Sequence, residues 1–370
     1  AQLVLCILRN KNLEYNEIKR IAETEMKPGL MTQIALRRHV EKAAMAYAGN
    51  LALKINSKLG GVNVTLDLRD TKVLKENVPT MILGADVTHP PPGAGNGVSI
   101  AAVVGSIDRE FAEYRASIRM QPGSVSARQP HIIHLKDMMK ELFELFHQRN
   151  QVFPKRLIMY RDGVSESQYG EVAVEELKGI REACTEVVGR GKCKVTIVAV
   201  NKRHHTRFFP VDGRDGDRSG NVPAGTVVDS DITHPYEFDF YLNSHPGLQG
   251  TSRPAHYHVL WDDNKFTPDE LQEVSYRLCY LYARSTRAVG LVSPAYYAHL
   301  VAARARCHIQ NVDLDLAHVK EGSVDTLVEE DSEGDVGGVY VKALGQDGVP
   351  AGGIVLKKVE DGLRGRMYFT

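Results

Sequence analysis

The chain has 370 residues with 46 basic and 46 acidic side chains, so its formal charge is zero. That length admits two or three domains. A neutral balance excludes bulk charge as a signal for nucleic-acid or membrane binding. No apolar run approaches the ~18–20 residues of a membrane span, and no signal peptide is expected. The five cysteines, Cys6, Cys184, Cys193, Cys279 and Cys307, show no C-x-x-C spacing, so neither a zinc site nor a disulfide framework is signalled. Free thiols fit a reducing compartment.

Taken in order, residues 1–79 read as half of an α/β domain. Residues 3–8 form an apolar strand at the very start of the chain, without a Met, which predicts a fragment whose preceding part is missing. A turn over 9–12 leads to a short helix over 15–22, and residues 32–40 lead into a helix over 39–58. Ala43, Ala44, Tyr47, Leu51 and Ile55 recur in it at helical spacing, and Gly60-Gly61 ends it. Lys54 and Lys58, four apart, share a face.

The rhythm then changes. Residues 81–86, 98–107 and 114–120 read as three successive strands. A polar loop over 121–129 precedes an amphipathic helix over 132–147, with Leu135, Met138, Met139, Leu142 and Leu145 predicted inward. A strand over 156–160, a helix over 168–188 and a strand over 195–200 follow. This β-β-β-α-β-α-β order is that of a ribonuclease H-like core. Residues 201–225 form a basic, then Gly- and Asp-rich, surface loop. Strand and turn pieces fill 229–263, and helices are predicted over 269–285 and 294–309. Residues 311–362 show little periodicity and are expected to be a long, largely mobile insertion; Glu329, Glu330, Asp331, Glu333 and Asp335 cluster there. The apolar end, 366–370, is predicted to dock back.

Three residues in this core carry candidate chemistry. Gly84-Ala85-Asp86-Val87-Thr88-His89-Pro90 delivers Asp86 to the end of a buried strand, and Tyr160-Arg161-Asp162-Gly163 delivers Asp162 likewise. A later helical stretch, Ala295-Tyr296-Tyr297-Ala298-His299-Leu300, offers His299. Two carboxylates and an imidazole can hold divalent metal for phosphodiester chemistry. The same aspartates also fit turn formers or helix caps.

The chain resembles the MID–PIWI lobe of a eukaryotic Argonaute protein. The resemblance rests on residues 54–63, 83–91, 99–106, 160–166, 202–207, 232–241, 250–263 and 294–302. It implies an α/β architecture: the C-terminal part of a Rossmann-like MID domain over 1–79 and a ribonuclease H-like PIWI domain over 80–370. The N and PAZ domains and the start of MID would be missing. It implies a Mg²⁺-dependent (or Mn²⁺-dependent) endoribonuclease, with Asp86, Asp162 and His299 as metal ligands and catalytic residues. It would be guided by a small RNA with a 5′-phosphate and would cut a complementary target RNA.

The resemblance assigns the guide's 5′-phosphate to Tyr15, Lys19, Gln33, Lys54, Lys58 and Arg304. It assigns the guide backbone to Lys202, Arg203, Arg207, His245, Arg253, Tyr282, Arg284 and Tyr296. Silencing proteins rich in Gly-Trp pairs are implied partners, and a monomer in the cytoplasm, or also the nucleus, is expected. One departure stands out. Active relatives carry a glutamate after an Arg-Gln pair, and here Arg128-Gln129 is followed by Pro130 and His131. His131, Asp137 and Glu141 are the candidate substitutes. The alternative function is a non-catalytic guide-RNA-binding protein that represses through recruited partners.

Overall fold

A computed structural model describes residues 2–10, 13–67, 71–75, 77–90, 98–123, 129–247, 249–312, 327–330, 336–344 and 350–370. The chain opens with strand β1 (Val4–Leu8), helix α1 (Leu13–Thr24) and strand β2 (Thr32–Leu36). β1 and β2 pair in parallel, Val4 opposite Thr32, with α1 as the crossover that parallel strands require. Residues 32–36 are thus a strand, not a lead-in to the next helix. The single helix expected over 39–58 is two, α2 (Arg37–Lys42) and α3 (Met45–Lys58). They are separated at Ala43, which takes a left-handed φ of 48°. Hydrophobic period does not register one left-handed residue. α3 ends where expected, just before Gly60 at φ +93°.

After a short turn of helix, α4 (Lys72–Lys75), come strands β3 (Thr80–Thr88), β4 (Val98–Ser106) and β5 (Tyr114–Pro122). Helix α5 (Leu135–Asn150), strand β6 (Arg156–Asp162), helix α6 (Tyr169–Ala183) and strand β7 (Lys194–Asn201) follow. This is the predicted β-β-β-α-β-α-β succession. Strands β8 (Thr226–Val228), β9 (Asp239–Asn243) and β10 (Ala255–Asp262) complete an eight-stranded sheet of order β5-β4-β3-β6-β7-β10-β9-β8. β3, β6 and β7 run parallel to one another, and the remaining neighbours are antiparallel.

Both faces of the central strands are covered, which is why they read as unbroken apolar runs. Met81, Leu83 and Ala85 of β3 pack with Leu142, Phe143 and Ile180 of α5 and α6. Ile82 packs on the other face with helices α7 (Pro268–Leu278) and α8 (Ser293–Ala305). α7 starts on a reciprocal capping box between Thr267 and Glu270, with Pro268 at its first turn.

Where α8 crosses β3, the strand residue is Gly84. A Cβ there would lie 2.0 Å from the carbonyl oxygen of Pro294, so only glycine admits the helix at this depth. From Pro294 to His299 a helix advances ~7.5 Å, and from Gly84 to Asp86 a strand advances ~6.6 Å. The crossing at Gly84 therefore brings His299 level with Asp86.

The expectation of little regular structure over 311–362 is corrected. Strands β11 (Ile309–Val312), β12 (Leu327–Glu330), β13 (Val336–Leu344) and β14 (Pro350–Leu356) form an antiparallel sheet of order β11-β14-β13-β12. Their glycines and mixed composition hide a pairing that is set by distant partners. Residues 313–326, 331–335 and 345–349, with much of the acidic cluster, lie outside the described residues. A last turn of helix, α9 (Asp361–Arg364), precedes Met367, Tyr368 and Phe369, which are buried as expected.

Candidate nucleic-acid and metal sites

The two central parallel strands deliver the carboxylates side by side. Ala85 pairs with Arg161, so Asp86 and Asp162 stand at the same level on adjacent strands. Gly163 turns the chain sharply after β6 at φ +79°, and a Cβ on it would lie 3.2 Å from Asp86 Oδ1. His299 on α8 completes the group, its Nδ1 3.1 Å from Asp86 Oδ2. Burial, and then the negative charge of Asp86, push the Asp162 carboxyl up to about 6. The hydrogen bond to Asp86 raises the His299 imidazole above its ordinary value. Two crowded carboxylates and an imidazole are a donor set that a hard divalent cation satisfies, so these residues fit Mg²⁺ or Mn²⁺.

The candidate substitutes for the missing glutamate point elsewhere. His131 Nδ1 lies 3.0 Å from Glu171 Oε1. Glu141 accepts from Ser117 Oγ at 2.6 Å and pairs with Arg119. Asp137 is exposed on α5. The Pro130 carbonyl accepts from the Arg161 guanidinium at 2.8 Å. Arg161, almost fully buried, also pairs with the fully buried Glu176 at 2.9 Å, and Glu176 accepts the Ile132 N–H at 3.1 Å. Sequence reasoning missed Glu176. Its place in an amphipathic helix looks like a solvated face, and only the strand-end arginine opposite explains its burial.

A second site is a cavity of about 420 Å³ between α1, β2, α3 and α8. All six residues predicted for the 5′-phosphate line it: Tyr15, Lys19, Gln33, Lys54, Lys58 and Arg304. Arg284, predicted for the guide backbone, lines it as well. Lys19 Nζ donates to the Thr32 carbonyl at 2.8 Å and to Thr32 Oγ1 at 2.7 Å. Lys58 Nζ donates to Gln33 Oε1 at 2.8 Å. The Gln33 amide nitrogen donates to the Ile34 carbonyl at 2.9 Å.

Burial, with the nearby Arg304 charge, brings Lys19 down to about 7. Burial, and then Lys19, hold Lys58 well below the ordinary lysine range. Sequence reasoning also missed Glu23. It lies one turn after Lys19 and binds Arg304 at 2.5 Å and His308 at 2.8 Å. Burial alone would raise its carboxyl, but Arg304, His308 and Lys19 together hold it well below the carboxylate range. The i, i+4 spacing from Lys19 was the available signal.

The predicted backbone contacts are only partly gathered. Lys202 Nζ donates to Tyr296 Oη at 2.8 Å, and the Tyr296 ring packs on Tyr282 at 5.1 Å. The charges of Lys202 and Arg203 act on Asp162 and His299 respectively, so this basic loop borders the carboxylate pair. Arg207 is turned onto the carbonyls of His204 and Thr206. His245 packs against Gly290, where a Cβ would lie 2.6 Å from its ring. Arg253 is exposed.

A mixed sheet with paired aspartates on adjacent parallel strands, faced by a helix-borne histidine, defines a ribonuclease H-like core. The profile of the Piwi domain matches residues 3–310, and the chain belongs to that family. Its fold is that of an Argonaute MID–PIWI lobe. It is 33% identical to the Kluyveromyces polysporus Argonaute crystallised with a guide RNA, at a TM-score of 0.75 over 82% of this chain and 35% of that one. The chain thus spans about a third of that protein's length. It is 29% identical to the C-terminal lobe of a budding yeast Argonaute, at a TM-score of 0.79 over 100% of this chain and 69% of that one. The MID–PIWI domains of QDE-2 from N. crassa share the fold, with a TM-score of 0.59 at 22% identity over 100% of this chain and 80% of that one. Among the described residues, no helix is long and apolar enough to cross a membrane.

Proposed function

We propose that this chain is the MID–PIWI lobe of an RNA-guided endoribonuclease, with the MID part over 1–79 and the PIWI domain over 80–370. The observation that carries the reading is the convergence of Lys19, Lys54, Lys58 and Arg304 on one cavity beside Tyr15. Four cationic side chains with one buried carboxylate, Glu23, among them suit a terminal phosphate. Tyr15 would stack on the first base. Lys202, Arg203, Arg207, His245, Arg253, Tyr282, Arg284 and Tyr296 would hold the guide backbone, which positions the strand without reading it. Base pairing would then select the target RNA. The reading is tested with matched guide strands: a 5′-phosphorylated RNA is expected to bind at least about tenfold tighter than its 5′-hydroxyl counterpart. Equal affinities would remove the cavity from guide recognition.

Asp86, Asp162 and His299 would hold Mg²⁺ or Mn²⁺ at the target phosphate. Bound divalent ions supply Lewis acidity for attack of water on phosphorus and for departure of the 3′ oxygen. The chain's own part is positional. β3 and β6 fix the carboxylates at one level, Gly84 lets α8 seat His299 over Asp86, and Lys202 and Arg203, beside the carboxylate pair, would keep the guide backbone close to it. The expected products carry 3′-hydroxyl and 5′-phosphate ends.

A second reading is a guided binding protein that represses through partners, including Gly-Trp-rich silencing proteins. The hydrogen bonds of His131 and Glu141 favour it, because they turn two candidate substitutes away from the aspartates. In either reading the protein acts as a monomer in the cytoplasm, or also in the nucleus.

A further inference from the structure

Strands β9 and β10 pair with His258 opposite Asp239. His256 and His258 stand two apart on β10, so both imidazoles leave the same face of the strand. Tyr257 between them enters the core on the opposite face. One ligand atom from each of Asp239, His256 and His258 lies within 4.8 Å of the others. Among the described residues, no other trio of such groups is gathered this closely. The three residues are 6%, 7% and 8% exposed.

Burying two imidazoles and a carboxylate is costly unless each is satisfied. Here they satisfy one another in pairs. His256 Nε2 lies 2.6 Å from Asp239 Oδ2, and His258 Nε2 lies 2.9 Å from Glu237 Oε2. Both rings thus turn the same nitrogen toward a carboxylate. The other Asp239 oxygen accepts the His234 N–H at 2.8 Å, which fixes the carboxylate from outside. Tyr241 stacks on His256 at 4.4 Å and Tyr169 packs on His258 at 4.8 Å, so both ring planes are held. The Glu237 side chain is 57% exposed and marks the side open to solvent.

We propose that Asp239, His256 and His258, with Glu237 closing the set, bind a divalent transition-metal ion of the zinc class. Two imidazole nitrogens and two carboxylate oxygens match Zn²⁺ chemistry, whereas Mg²⁺ and Ca²⁺ take oxygen ligands. Ligands ~2.0–2.1 Å from a tetrahedral ion stand roughly 3.3 Å apart, so the His256–Asp239 contact opens by well under 1 Å on binding. The ion takes the place of the protons that the pairs now share. Glu237 lies outside the gathered trio, 2.9 Å from His258 Nε2; as fourth ligand it would leave the ion no open position, which would make the site structural. It ties residues 234–239 to β10, behind the loop that carries Lys202 and Arg203; the ring of His204 in that loop lies 6.4 Å from that of His256.

Co²⁺ is the probe, in an Asp86→Ala chain that lacks the His299–carboxylate pair of the candidate catalytic site. One equivalent with the intense visible absorption of four-coordinate Co²⁺, displaced by Zn²⁺, is expected. His258→Gln in the same background abolishes it. No such absorption in the Asp86→Ala chain, or equal absorption in a His258→Gln chain of native circular dichroism, overturns the proposal. Should His258→Gln fail to fold, Glu237→Gln decides. This change alters only an exposed carboxylate and is expected to weaken Co²⁺ binding about tenfold; unchanged binding overturns the proposal.

Discussion

His299 and Asp86 are 213 residues apart in sequence, yet His299 Nδ1 lies 3.1 Å from Asp86 Oδ2. The contact is built by backbone. β3 sets the depth of Asp86, α8 sets the height of His299, and Gly84 sets the distance between strand and helix.

Gly84→Ala therefore acts on the site without touching it. The added methyl meets the Pro294 carbonyl at 2.0 Å, in backbone that has no rotamer to change. The expected cost is about 1–3 kcal/mol or more, read as a lowered midpoint in thermal or denaturant unfolding. The same variant is expected to lose target cleavage while it keeps 5′-phosphate binding. Native stability in this variant would contradict the packing described at the crossing.

Lys58→Ala removes one of the buried lysines of the cavity, which a bound phosphate would hold as an ammonium. Losing a charge-assisted contact costs about 1.5–3 kcal/mol, which is about 10–150-fold in affinity for a 5′-phosphorylated RNA. Binding of the 5′-hydroxyl strand is expected to change little. A parallel loss on both strands, in fluorescence anisotropy titrations, would show that Lys58 supports the fold and not the phosphate.

Guide binding is expected to weaken as pH rises above about 7. Lys19 is brought down to about 7 in the empty cavity, so above that pH it is mostly neutral. A bound phosphate favours the ammonium form, so binding takes up a proton, and affinity falls by up to about tenfold per pH unit for each such lysine. Below about pH 6 the phosphate gains its own proton and the trend reverses. Stability runs the other way. Between about 7 and the ordinary lysine value the unfolded chain binds a proton that the folded chain lacks, so the empty protein gains stability as pH rises through that window. Calorimetry in buffers of different ionisation enthalpy measures the proton uptake, and its absence would contradict a desolvated lysine.

Glu176→Ala leaves the Arg161 guanidinium buried without its carboxylate. Breaking such a pair costs about 3–5 kcal/mol. Arg161 also donates to the Asp162 carbonyl at 2.5 Å, so the loss is expected to disturb the end of β6. Urea unfolding checks the first effect, and divalent-ion affinity checks the second. A variant as stable as the parent would remove the pair from the account.

Much of this was legible in the sequence. The apolar runs of β3 and β6 end in Asp86 and Asp162, and strand termini are where buried sheets present side chains. The β-β-β-α-β-α-β order followed from changes of period alone. The residues that the resemblance assigns to a 5′-phosphate line one cavity.

The features that were not legible depend on distant partners. β2 is a strand because β1 lies beside it. Gly pairs interrupt β13 and β14, and β11 finds its partner in β14, with Ile309 opposite Leu356. Glu23, Glu176 and Asp239 read as ordinary acids until the arginine or histidine opposite each is known. His131 could be named as a metal candidate by its position, but only the fold shows it turned to Glu171.

The most direct measurement is target cleavage. The full-length protein that contains this lobe is loaded with a 5′-phosphorylated guide and given a labelled complementary RNA with Mg²⁺, beside an Asp86→Ala variant. A single cut opposite the middle of the guide, lost by about a thousandfold or more in the variant, is the predicted result. Stable guide and target binding with no cut in either protein would contradict it, and would make Pro130, in place of a glutamate, the residue that leaves this fold a guided binding platform.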